Sequence, residues 1–139
     1  MKLKSFIRKK LNYIRIKNVK KYRKNVGRFE VKLIKRYLNE LEGKNFLDFG
    51  CGFGEECAQA FENNMKVTGY DIEIYPEMKE VLEIYPDIDI IIDKLNLINP
   101  NKYHIVHSHH VLEHCRNDLD ILIFLRKAIN SEGILLLSV

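Results

Sequence analysis

Apolar positions along this chain follow two rhythms. Leu3, Ile7, Leu11 and Ile14 recur at helical spacing, with Phe6 beside Ile7, in an otherwise largely basic stretch. They predict an amphipathic helix that frays near Asn18. Phe29, Leu33, Tyr37, Leu38 and Leu41 predict a second helix, stopped by Gly43. From Asn45 onward the pattern becomes short apolar runs separated by amphipathic segments. Asn45–Phe49 reads as a strand, Gly50–Gly54 as a glycine turn, and Glu55–Asn63 as a helix with Cys57, Ala58, Ala60 and Phe61 inward. Lys66–Tyr70 is the next strand and ends at Asp71. Pro76–Tyr85 is a helix with Pro76 in its first turn and Met78, Val81, Leu82 and Tyr85 inward. Ile88–Ile92 is almost continuously β-branched, which predicts a strand buried on both faces. After an irregular stretch, Asp93–Lys102, come a strand at Ile105–Ser108 and a helix at Asp118–Asn130. That helix is expected to bury Leu119, Leu122, Ile123 and Leu125 and to be closed by Gly133, before a last strand at Ile134–Val139. Strands alternating with helices imply a Rossmann-like α/β/α sandwich: a mainly parallel sheet of about five strands with right-handed crossovers, preceded by N-terminal helices.

Charge divides the chain more sharply than its net value of +4 suggests. Residues 1–24 hold eleven Lys or Arg and no acid, leaving twelve basic residues against all nineteen acidic ones in the remainder. A basic amphipathic arm (residues 1–26) thus precedes an acidic domain (residues 27–139). The arm suits packing over the body, an anionic membrane surface or phosphate-bearing partner, or a contact between subunits. It has few aromatic residues, so stacking on single-stranded nucleic acid is not specifically indicated. No apolar run approaches the roughly 20 residues of a membrane span, and no secretory signal opens the chain. Cys51, Cys57 and Cys115 form no C-x-x-C pair, which favours free thiols in a reducing, cytoplasmic setting.

The chemistry concentrates at the ends of the strands. In LDFGCGFGE (Leu47–Glu55), Gly50, Gly52 and Gly54 let the backbone turn sharply and approach a ligand. The dinucleotide fingerprint would need glycine at position 55, where Glu55 stands, and no Gly-Lys-Ser/Thr follows to make a phosphate loop. Asp48 and the Glu55–Glu56 pair would repel a pyrophosphate and suit a ligand with a cationic amino-acid end. Asp71, 17 residues beyond Gly54, lies where such folds place an acid on a ribose. Asp93 follows the third strand, within reach of an adenine amino group. Three acids therefore converge on the sheet edge where open α/β sheets bind ligands.

LDFGCGFGE resembles motif I of class I S-adenosylmethionine-dependent methyltransferases. VTGYDIE (Val67–Glu73) is similar to the family's second motif, YHIVHSHHVLEH (Tyr103–His114) to its fourth-strand segment, and RKAINSEGILLLSV (Arg126–Val139) to its helix, turn and fifth strand. The resemblance is closest to the type 11 and type 23 families and runs from Lys44 to Val139. It implies S-adenosylmethionine as cofactor and methyl transfer to a small-molecule or macromolecular acceptor. Asp48, Gly50, Cys51, Gly52 and Gly54 would form the cradle of its methionine part. Asp71 and Ile72 would hold the ribose and flank the adenine, Asp93, Lys94 and Leu95 would meet the adenine edge, and Ser108 and His109 would line the methyl-transfer side. Ser131-Glu132-Gly133 replaces the family's Pro-Gly-Gly turn. The family sheet has seven strands, the last two of which help shape the acceptor pocket, whereas this chain stops in the fifth. That leaves an alternative: a shortened, catalytically inactive module that binds cofactor and acts through its arm. It also makes the fifth strand a candidate sheet edge for a homodimer.

His104, His107, His109, His110 and His114 cluster within eleven residues. Alternation sends His104 and His107 to opposite faces of their strand, and the methyltransferase pattern accounts for the VLEH segment, so no metal site is expected. Loop packing is the default for these histidines. His109 and His114, with Glu113, are the candidates for a catalytic base or for orienting the acceptor.

Overall fold

The computed structural model describes residues 31–139. They fall into two units, the first ending at Leu38 and the second running from Asn39 to Val139. The expected arm, its first helix and the boundary at residue 26 lie outside the described residues. Residues 31–37 are helical. The second predicted helix therefore ends earlier than expected, before Leu41, and Gly43 is not its stop. Gly43 instead takes φ +72° in the turn entering the sheet, where its N–H donates to the Asn64 carbonyl.

The second unit is a five-stranded parallel sheet in the order β3-β2-β1-β4-β5, with β1 Asn45–Phe49, β2 Lys66–Asp71, β3 Asp89–Ile92, β4 Tyr103–His109 and β5 Ile129–Ser138. Helices α1 (Glu55–Glu62), α2 (Pro76–Ile84) and α3 (Asp118–Ala128) make the crossovers. Strand order reverses between β1 and β4, the switch point at which such sheets open a crevice. Pro76 starts α2 at a position whose N–H needs no partner. The Asn117 side chain caps α3 by accepting from the Asp120 N–H, with acids in the first turn and Arg126 and Lys127 in the last to match the helix dipole.

Period-two alternation divides β1 between two layers. Leu47 and Phe49 join Tyr70, Val106, Leu125 and Ala128 in the core beneath α3. Asp48 points to the opposite layer, where the Cys57 thiol of α1 reaches it.

Three expectations need correction. β3 is not buried on both faces: it forms one edge of the sheet, with Asp89 exposed and Ile90 and Ile92 half-buried. In α3, Leu119 and Ile123 are exposed, while Ile121, Phe124, Leu125 and Ala128 turn to the core. The helix also ends at Ala128 rather than at a glycine turn. Ile129 already pairs with Tyr103, the register slips, and pairing resumes at Ile105↔Ile134. Gly133 lies in that irregularity because a Cβ there would sit 2.8 Å from the Tyr103 carbonyl oxygen.

Candidate functional site

The glycine loop leaves β1 at the switch point and is fastened to β2. The Gly50 and Cys51 N–H groups both donate to the Tyr70 carbonyl, at 2.8 and 2.9 Å. The Gly52 N–H donates to Asp71 Oδ2 at 2.8 Å, and the Ile72 N–H donates to Oδ1 of the same carboxylate at 2.8 Å. Asp71 is thus fixed in orientation by two backbone donors, and each oxygen keeps a lone pair for a further donor. Gly50, Gly52 and Gly54 all have positive φ. At Gly50 a Cβ would also stand 2.2 Å from Val111 Cγ2, whereas at Gly52 the nearest heavy atom would be 4.0 Å away, so the backbone there borders open space.

That space is a cavity of about 860 Å³ over the C-terminal ends of the strands, within the usual range for small-molecule sites. Gly50, Gly52, Asp71, Ile72 and Asp93 line it from the glycine loop and the ends of β2 and β3, and His110, Val111, His114 and Cys115 from the turn after β4, together with the aromatic Phe49 and Tyr70. Phe49 stacks on Tyr70 at 4.9 Å, and Phe53 meets Tyr75 edge-on at 5.4 Å. Burial, with Asp93 and Asp71 nearby, pushes the Tyr70 phenol above its ordinary range, so it stays neutral. Asp93 and His110 both line the cavity at positive φ, +50° and +52°, the kind of conformation that gathers at ligand sites.

Of the residues expected in the site, Gly50, Gly52, Asp71, Ile72, Asp93 and His114 line the cavity, as does Leu95; Asp48, Cys51, Gly54, Lys94, Ser108, His109 and Glu113 do not. Asp48 lies behind the loop, buried, with Oδ1 2.8 Å from His107 Nδ1 and Oδ2 accepting the Cys57 thiol at 3.5 Å. Burial and the Asp48 charge push the neighbouring Glu56 carboxyl up to about 7, an effect that His107 moderates. Its hydrogen bond to Cys51, followed by burial, holds the Cys57 thiol well above the ordinary range. Ser108 is fully buried.

His109 packs edge-on against His110 at 4.2 Å, and it is His110 that reaches the cavity. Its Nδ1 is 2.9 Å from Glu113 Oε1. A hydrogen bond at its own backbone, then His110, holds the Glu113 carboxyl below the ordinary carboxylate range. Glu113 therefore acts on the site through His110. Sequence reasoning missed His110 because β4 runs one residue past Ser108, so the turn begins at His110. No His, Cys, Asp or Glu cluster suited to a metal occurs among the described residues.

The comparisons agree with this geometry. No curated protein sequence matches the chain. Solved structures share its fold. One is a protein from Pyrococcus horikoshii (TM-score 0.67, 17% identity, covering 82% of this chain and 56% of that one). Others are an S-adenosylmethionine-dependent methyltransferase from Mesorhizobium loti (0.58, 20%, 71% and 47%) and phosphoethanolamine N-methyltransferase 2 of Haemonchus contortus, crystallised with S-adenosylmethionine (0.62, 23%, 76% and 26%). The chain spans 26% to 56% of these structures' own lengths. The family model described as "Methyltransferase domain" matches residues 21–139, so a glycine loop at the switch point of a Rossmann-like sheet, with an acid at the end of its second strand, here marks a chain that belongs to the methyltransferase-domain family.

Proposed function

We propose that the cavity binds S-adenosylmethionine and that the chain takes part in passing its methyl group to an acceptor. The observation that carries this reading is Asp71: two backbone N–H groups hold its carboxylate at the edge of a glycine-lined cavity, with lone pairs left for two ribose hydroxyls. Gly50 and Gly52 fit the methionine part, since their backbone borders the cavity without side chains. Ile72 and Leu95 suit the two faces of an adenine, and Asp93 its amino group. Asp48, Cys51 and Gly54 support the loop from behind.

Bound there, S-adenosylmethionine would supply an electrophilic sulfonium methyl: an aligned oxygen, nitrogen or carbon nucleophile would bond to the methyl carbon as its bond to sulfur broke, leaving S-adenosylhomocysteine. The chain contributes alignment and exclusion of water. His110, hydrogen-bonded to Glu113, and His114 line the same cavity, which supports assigning them to take the acceptor's proton. The charge of residues 1–24 suits an anionic membrane or a phosphate-bearing partner, and an acidic phospholipid vesicle set against a neutral one is the test of that.

Calorimetric titration with S-adenosylmethionine, S-adenosylhomocysteine and NADH tests the cofactor reading. Binding of the first two alone is expected. Asp71→Ala should weaken it by about 1–3 kcal/mol, the scale of hydrogen bonds to a charged group. Equal binding by the variant would remove Asp71 from the site. Binding without turnover on any acceptor would favour the binding-module alternative.

A further inference from the structure

The ladder between β1 and β4 ends at the pair Asp48↔His107. Beyond it the strands part. One continues into the glycine loop and the other into the His110–His114 turn, and both segments line the cavity. The last pair is joined by its side chains as well. Asp48 and His107, 2% and 3% exposed, meet at 2.8 Å, and the His107 ring stacks on Phe46 at 6.2 Å. On the β2 side the loop has backbone anchors to Tyr70 and Asp71. On the β4 side, a buried polar contact stands at the point of divergence.

An ionised carboxylate this deeply buried is costly unless it is paired and hydrogen-bonded. Glu56 and Cys57 of α1 face the pair, Glu55 adjoins Glu56 and Cys51 adjoins Cys57, and His109 of β4 lies beside the His107 ring. Most of them are acids or thiols, so the imidazole is the basic partner that Asp48 meets in the cluster. Removing its N–H would leave Asp48 to be neutralised or rehydrated, and either outcome loosens the start of the loop.

We propose that His107 is a positioning residue for the cofactor: by gripping Asp48 where β1 and β4 part, it holds these two cavity-lining segments at the separation the cofactor requires. The inference rests on the cofactor reading above. It concerns a residue outside the cavity, at the family's fourth-strand segment.

Two substitutions separate its hydrogen bond from its packing. His107→Phe keeps a ring against Phe46 and loses the donor; His107→Asn keeps a donor and loses the ring. The full chain and both variants are titrated with S-adenosylhomocysteine, with circular dichroism as the check on folding. Carbon-detected NMR follows the Glu56 carboxyl, whose midpoint lies near 7 in the parent. His107→Phe is expected to weaken binding by about ten- to a hundredfold, the equivalent of a charged hydrogen bond, and His107→Asn by about threefold or less. The Glu56 midpoint rises in His107→Asn, where a neutral donor keeps Asp48 ionised without the offset that His107 supplied. A purely packing role predicts the reverse order of affinities, and that result overturns the proposal. If His107→Phe does not fold, a tenfold loss in folded His107→Asn overturns it as well. A parent chain that binds neither S-adenosylhomocysteine nor S-adenosylmethionine refutes the cofactor reading itself, and the positioning role falls with it. A parent that binds while His107→Phe binds equally well refutes the positioning role alone.

Discussion

Asp48, Glu56 and Asp71 lie within one neighbourhood of the glycine loop, and their surroundings give them different tasks. Asp71 is held by two backbone donors at the cavity edge, Asp48 is closed in with His107, and Glu56 stands half-buried on α1 beside Asp48. Glu56 has the clearest consequence for stability. In the folded chain burial and the Asp48 charge push its carboxyl up to about 7, whereas an ordinary glutamate ionises near 4.5. Between these limits the folded state holds a proton that the unfolded state has released, so Glu56's contribution to stability falls as pH rises through this window and then levels off. Glu56→Gln cannot ionise and escapes that loss. It should be more stable than the parent at pH 8 by about 1–2 kcal/mol, with the advantage vanishing near pH 4. Urea unfolding at the two pH values measures this; an equal gain at both would show that ionisation is not the cause.

At the scale of elements, the glycine loop was legible because its constraint is local. Three glycines at alternate positions between an apolar run and a helix leave little else for the backbone to do, and the structure gives each of them a positive φ. Asp71 was legible for a similar reason, as the polar end of an apolar strand. The face of α3 was not. DLDILIFLRKA is apolar on nearly all sides, so periodicity cannot choose which stripe turns inward; contact with Phe49 and the strands selects Ile121, Phe124 and Leu125 over Leu119 and Ile123. The resemblance pointed to His109 rather than His110 because the end of β4 depends on its pairing with β5, a long-range fact. The loop's packing against the β4 turn yields a prediction. Gly50→Ala places a Cβ 2.2 Å from Val111 Cγ2 at φ +85°, so it should cost about 1–3 kcal/mol and weaken S-adenosylhomocysteine binding. Adding Val111→Ala removes the collision but not the backbone strain, and should restore part of the loss in melting temperature. Full tolerance of Gly50→Ala would contradict this packing.

For the whole molecule, a mainly parallel sheet of about five strands was readable from the alternation of elements, but burial at the sheet's two edges was not. The run Ile88–Ile92 resembles an interior strand in composition, yet β3 has a neighbour on one side only, because β1 and β4 open the chain in opposite directions. The two edges differ in kind. β3 is four residues long and begins with an exposed Asp89, features that discourage further pairing. β5 is ten residues long, most of it half-exposed, with Leu137 exposed, and among the described residues no strand pairs with its outer side. Leu119 and Ile123 of the adjoining α3 are exposed too. A long apolar edge of this kind favours pairing with a second copy of the same strand. Sedimentation velocity across a hundredfold range of concentration is therefore expected to show a monomer passing to a dimer. Leu137→Lys puts a charge on the edge without entering the core, and should shift the transition to higher concentration while leaving cofactor binding unchanged. A sedimentation coefficient that stays monomeric over the whole range would overturn the prediction, as would a dimer indifferent to the lysine.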